Sequence, residues 1–134
     1  MKIVELKDEQ IEELEKCLEE YDRKHIQFEL EGNVSIGIYE NSQLIAGADA
    51  CMTAFHILYV STVYVAETYR RRGIGKKVMN EVERRAKLLG ANMIRLDTFD
   101  WQGKEFYEAL GYENVGSYEN KEDRFSEFFF VKRL

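Results

Sequence analysis

The chain has 134 residues, a formal net charge of −6 and an isoelectric point near 5.1, with 45% hydrophobic residues. That length and content fit one domain over residues 1–134 with its own core, and leave little room for a second. The acidic balance argues against a chain-wide nucleic-acid surface, no apolar run approaches the ~20 residues of a membrane span, and Met1-Lys2-Ile3 leads into an acidic helix rather than a signal peptide; a cytoplasmic protein without nucleic-acid or membrane partners is expected.

Residues 2–6 alternate weakly and predict a first strand. A helix follows over 9–23: Ile11, Leu14, Leu18 and Tyr21 recur at spacings of three and four, glutamates fill the other positions, and Asp8 stands where an N-cap belongs. Residues 24–32 read either as a short second helix or as a loop. Two strands, 33–39 and 44–54, flank the polar hairpin loop Glu40-Asn41-Ser42-Gln43. Residues 56–65, rich in β-branched and aromatic side chains on both faces, predict a central strand. A helix over 74–89 buries Val78, Val82, Ala86 and Leu89 and stops at Gly90. A strand over 92–98, a short helix over 101–110 ended by Gly111, and strands near 112–118 and 125–133 complete a mixed α/β order. Cys17 and Cys51 read as two reduced, buried thiols. His25 and His56 are too isolated to suggest a metal site. The phenylalanines at 125, 128, 129 and 130 exceed strict alternation, so one face packs on the sheet while the other is open to a second subunit, as in a homodimer.

The chemistry concentrates where the central strand meets the 74–89 helix. There the chain reads Arg70-Arg71-Arg72-Gly73-Ile74-Gly75-Lys76, a basic turn in an acidic protein. Glycines let backbone approach a ligand, and a helix start offers unpaired N–H groups and a positive dipole end, so the turn suits phosphate or diphosphate. It is not a Walker loop, because Lys76-Lys77 follows Gly75 where Lys-Ser/Thr is needed, and Gly-x-Gly-x-x-Gly is absent. A second block, Asp97-Thr98-Phe99-Asp100-Trp101-Gln102-Gly103-Lys104-Glu105-Phe106-Tyr107-Glu108-Ala109-Leu110-Gly111-Tyr112, carries Phe-Tyr-Glu-x-x-Gly-Tyr.

Together, Arg70-x-x-Gly73-x-Gly75 and the Phe106-Tyr107 block resemble the GNAT N-acetyltransferase superfamily over nearly the whole chain. The resemblance implies a mixed, mostly antiparallel sheet splayed between its central strands and flanked by helices. It implies an acetyl-CoA-dependent N-acetyltransferase acting by direct attack of a small-molecule or peptide amine. The N–H groups of about Arg71 to Lys76 would cradle the diphosphate, with charge from Arg71, Arg72, Lys76 and Lys77. Main-chain groups of Val63, Tyr64 and Val65 would take the pantetheine arm, an N–H near Val65 would polarise the acetyl carbonyl, and Tyr107 would protonate the departing thiolate. No metal is implied.

Two departures stand out. Ribosomal-protein alanine acetyltransferases place a glutamate base twelve residues before the tyrosine, and here that position is Arg95, which cannot be a base. Asp97, on the same strand face as Arg95, Tyr64, His56, Glu67 or an ordered water remain as alternatives. Asp100 replaces a common asparagine that contacts the cofactor or caps the short helix, and Gly103 replaces the usual alanine. The absent glutamate leaves a second reading open, a non-catalytic acyl-CoA-binding or regulatory module. The acceptor pocket would be built from residues 24–32, the strand near 56–64 and the charged loop 117–124.

Overall fold

The structure is a computed structural model and describes residues 1–26 and 29–134. One sheet of six strands forms its centre. Strands β1 (Asn33–Glu40), β2 (Gln43–Met52) and β3 (Ile57–Val65) make an antiparallel meander. Its first turn is only Asn41-Ser42, both at positive φ (50° and 62°), the twist that two-residue hairpins require. Helix α2 (Ile74–Leu88) crosses over to β4 (Met93–Phe99), which lies parallel to β3. Helix α3 (Lys104–Ala109) leads to β5 (Glu113–Asn120) and β6 (Phe125–Arg133), giving the order β1-β2-β3-β4-β6-β5.

The core lies between this sheet and α2. Alternate residues of β2 facing the helix are Ala46, Ala48 and Ala50, small enough for α2 to lie close, and Val78, Met79, Val82 and Ala86 fill the gap with Leu58, Val60 and Ile94. Leu58, Met79 and Ile94 are fully buried, each contributing about 1.5–3 kcal/mol by leaving water. The predicted stripe of α2 is right except that Leu89, the C-cap, is half-buried and Met79 joins it. Gly90 at φ 95° and Gly111 at φ 89° end α2 and α3 as expected. Glu83 of α2 pairs with Lys132 of β6 at 2.6 Å, and the same ammonium donates to the Leu110 carbonyl at 2.8 Å, tying helix, sheet and the end of α3 together.

The N-terminal segment departs from expectation. Residues 2–6 form no strand, since strands exist only where a neighbour supplies hydrogen bonds. Helix α1 spans Asp8–Asp22 with Lys7, not Asp8, at the N-cap, where the Lys7 N–H donates to the Gln10 side chain at 3.0 Å. None of its residues is buried, and Ile11, Leu14, Leu18 and Tyr21 all face solvent. In the ambiguous stretch 24–32, Glu29 bridges to Ala54 and Phe55; residues 27 and 28 lie outside the described residues. Cys17 and Cys51 are free thiols, as expected, but exposed rather than buried. Among the described residues no helix is long and apolar enough to cross a membrane.

Candidate active site

β3 and β4 pair through three residue couples only, Ile57–Met93, Leu58–Ile94 and Tyr59–Arg95. Beyond Tyr59 the two strands part. The gap opens into a cleft of about 1120 Å³, with Ser61–Val65 on one wall and Asp97–Phe99 on the other.

The first predicted block frames one end. Val63, Tyr64 and Val65 line the cleft from β3, Arg70 and Arg71 from the loop, and Gly73, Ile74, Gly75 and Lys76 from the start of α2. The loop is latched to the strand by Arg70, whose Nε donates to the Val65 carbonyl at 2.9 Å. Arg70 therefore spends a guanidinium N–H on positioning the turn. Arg72 does not line the cleft and lies instead over the Tyr69 ring, 5.4 Å from its centroid.

The two glycines serve different needs. Gly73 caps α2 in the left-handed region (φ 76°), and a Cβ there would meet nothing within 4 Å, so the space before the helix is open. A Cβ on Gly75 would come within 3.0–3.1 Å of the Phe106 ring. Gly75 lets α3 press on α2. The N–H groups of Ile74, Gly75 and Lys76, in the first turn of a helix, have no intrahelical acceptor. Three such donors, a positive dipole end and the cations of Arg71 and Lys76 suit a diphosphate.

The second block supplies Tyr107, the one buried residue of α3, packed against Phe106, Tyr112 and Phe130 at the cleft floor. Burial, and secondarily the charge of Asp97, push its phenol up to about 12. The start of α3 is fixed by side chains that sequence reasoning passed over. Gln102 Oε1 accepts from the Phe99 N–H at 2.8 Å, and Thr98 Oγ1 accepts from the Gly103 N–H at 3.1 Å. A Cβ on Gly103 would sit 3.2 Å from the Tyr107 ring, so this glycine makes room for the tyrosine itself. Asp100 does not cap α3, whose N-cap is Gly103. Its Oδ2 accepts from the Ser126 N–H at 2.7 Å while its own N–H donates to the Ser126 carbonyl at 3.0 Å, locking β4 to β6.

Carboxylates line the cleft as well, Glu105 from α3 among them. Asp97 and Glu127 line it from β4 and β6. The Tyr59 hydroxyl points to Asp97 at 3.4 Å, the Arg95 guanidinium lies 4.3 Å over the Tyr59 ring, and the Tyr118 hydroxyl donates to Glu127. Burial first, then Asp97, raises the Tyr59 phenol; the bond to Glu127 raises that of Tyr118. Trp101, two-thirds exposed, stacks on Phe99 at 4.7 Å and walls the cleft. Of the other base alternatives, Tyr64 lines the cleft. Glu67 stands in a 3-10 turn outside it, and His56 at the far end of β3, where its carbonyl accepts from Asn92. Glu127 carried no sequence signal, because only the pairing of Phe99 with Glu127 across β4 and β6 brings it here.

Residues 3–112 match the Acetyltransferase (GNAT) family. The chain belongs to this family. The GNAT domain is similar over its full length to a crystal structure of an acetyltransferase from Bacillus cereus: 26% identity, TM-score 0.92, 100% of this chain and 98% of the other. A GNAT acetyltransferase from Elizabethkingia anophelis, solved with acetyl-CoA bound, shares the fold at 15% identity and TM-score 0.59 over 72% of each chain. The thialysine N-epsilon-acetyltransferase of Bos taurus is 33% identical over 60 residues, 43% of this chain and 35% of that protein. The matched stretch thus spans about a third of that curated relative.

Proposed function

We propose that this GNAT chain is an acetyl-CoA-dependent N-acetyltransferase, active as one domain over residues 1–134, whose acceptor is a small amine carrying positive charge. The observation that carries the reading is the polarity of a single cleft. Backbone N–H groups, Arg71 and Lys76 line it from the loop and the start of α2, and the carboxylates of Asp97, Glu127 and Glu105 line it from β4, β6 and α3, with Tyr107 between the splayed strands. One trough thus offers groups for an anion and groups for a cation side by side.

Acetyl-CoA, when bound, would supply a thioester: the ammonium first gives a proton to water, the uncharged amine then forms the C–N bond as the C–S bond breaks, and the proton that nitrogen sheds balances the one the sulfur gains. The first-turn N–H groups of α2 receive the diphosphate, and Arg70 holds that turn against β3. The open main chain of Val63–Val65 accepts an extended arm as it would a strand. Tyr107 stays protonated at every working pH, because burial opposes its ionisation, and its hydroxyl is a hydrogen-bond donor to sulfur as negative charge develops there. Asp97 and Glu127 draw an alkylammonium to the cleft and orient it. The resemblance of one stretch to a thialysine N-epsilon-acetyltransferase supports an acceptor of lysine-like charge and size.

The test is thiol release from acetyl-CoA with a panel of lysine analogues, diamines and aminoglycosides, beside neutral and acidic amines. Turnover confined to the cationic acceptors is expected. Tight CoA binding with no turnover on any amine would leave the non-catalytic module as the better reading.

A further inference from the structure

Residues 1–26, ahead of β1, are built for a partner that their own chain does not supply. Ile3, Val4 and Leu6 are exposed, and so is the whole stripe of α1, with Leu14, Leu18 and Tyr21 each about 60% accessible. The accessible surface of the chain is 10278 Å². A compact chain of 15.8 kDa exposes about 7300 Å². The excess, about 3000 Å², is of the size that obligate dimers hide.

The open placement of the arm recurs in the Bacillus cereus structure. Residues 29–134 are 106 of 134, about 0.79 of the chain, and their perfect overlay alone would cap the TM-score near that value, below the observed 0.92. The arm must superpose as well.

Charge identifies the occupant. Helix α1 holds eight carboxylates and one lysine, net −7, within a chain whose net charge is −6, so every other residue together carries +1. Two such helices repel each other, and neither suits an anionic membrane. The body, in contrast, offers a groove of about 320 Å³ between the start of β1 and the end of α2, lined by Asn33, Arg84, Arg85, Leu88 and Leu89. Leu88, one of its lining residues, is 74% exposed. Glu81 is the carboxylate paired to both Arg84 and Arg85, at 2.6 and 2.9 Å, which leaves positive charge over.

We propose that two copies of this chain exchange their N-terminal arms. Each α1 lays Ile11, Leu14, Leu18 and Tyr21 on the Leu88 groove of the other copy, with its glutamates facing Arg84 and Arg85. The chain leaves its own body beside that same groove, where Leu30 packs on Gly90 and Leu89 on Gly32, so a two-fold axis near this point closes the pair.

Light scattering on the full chain at about 10 μM should give twice 15.8 kDa. The double variant Leu14→Glu/Leu18→Glu should run as a monomer while keeping the β-sheet circular dichroism of the body. Arg84→Glu/Arg85→Glu should weaken association at least tenfold, and Glu15→Lys/Glu19→Lys in that background should recover part of it. A monomeric full chain, an assembly larger than two, or a dimer that survives Leu14→Glu/Leu18→Glu would each overturn the proposal.

Discussion

Tyr107→Phe removes one hydroxyl and leaves the ring packing intact. Because a thiolate with a pKa near ~8.5 is a tolerable leaving group, the loss in turnover should be about 10- to 100-fold, toward the lower range of acid catalysis, with CoA affinity changed less than about twofold. Steady-state rates and calorimetric CoA binding separate the two. The same phenol sets an alkaline signature. Its folded pKa is raised from 10 to about 12, so between these values the native chain keeps a proton that the unfolded chain has lost. Stability supported by Tyr107 is complete below pH 10 and falls as pH climbs through 12. Melting temperatures at pH 9 and 11 should fall more steeply in the wild-type protein than in Tyr107→Phe. Gly73 and Gly75 show how far a motif can be read. Their spacing marks a phosphate turn, yet only the fold shows that Gly75 answers to the Phe106 ring on a helix thirty residues away. Gly75→Val should therefore lower thermal stability as well as CoA binding, by circular dichroism melts and calorimetry respectively.

Among the elements, those that pack within one chain were legible and those that need another surface were not. The 3.6 period of α1 correctly gives a helix and its apolar face, but periodicity does not say whose surface covers it. The alternation of 2–6 likewise describes a strand in search of an edge. β3, α2 and β4 were placed to within a residue or so because turn signals bound them on each side. The splay between β3 and β4 was expected from resemblance and is seen as the end of pairing at Tyr59 and Arg95. The hairpin between β1 and β2 is improvable: Ser42 sits at φ 62° without being glycine. Ser42→Gly should raise stability by about 0.5–1 kcal/mol, measured by denaturant unfolding, since a two-residue turn of this hand favours glycine there.

For the whole molecule, the sign of the net charge argues against a polyanion partner but conceals the arrangement that matters. A chain of −6 holds a basic turn at α2, acidic side chains at Asp97 and Glu127 in the cleft, and a helix α1 of −7. Composition averages over all three. If the cleft selects cations, Asp97→Asn/Glu127→Gln should raise KM for a cationic acceptor about tenfold, leave that for a neutral amine within about twofold, and flatten the dependence of kcat/KM on ionic strength.

The three residue couples between Ile57–Tyr59 and Met93–Arg95 carry one further consequence. Among the described residues they are the paired strand couples of a seam between two leaves of sheet, strands one to three and strands four to six, with the His56 carbonyl tied to the Asn92 and Met93 N–H groups at its closed end. A seam so short behaves as a hinge, and a molecule wedged across the open margin acts as a clasp. Its occupancy at one hundred times the dissociation constant would add about 2.7 kcal/mol to unfolding. Amide exchange should slow most on the facing margins Ser61–Val65 and Asp97–Phe99, far from the stitches themselves.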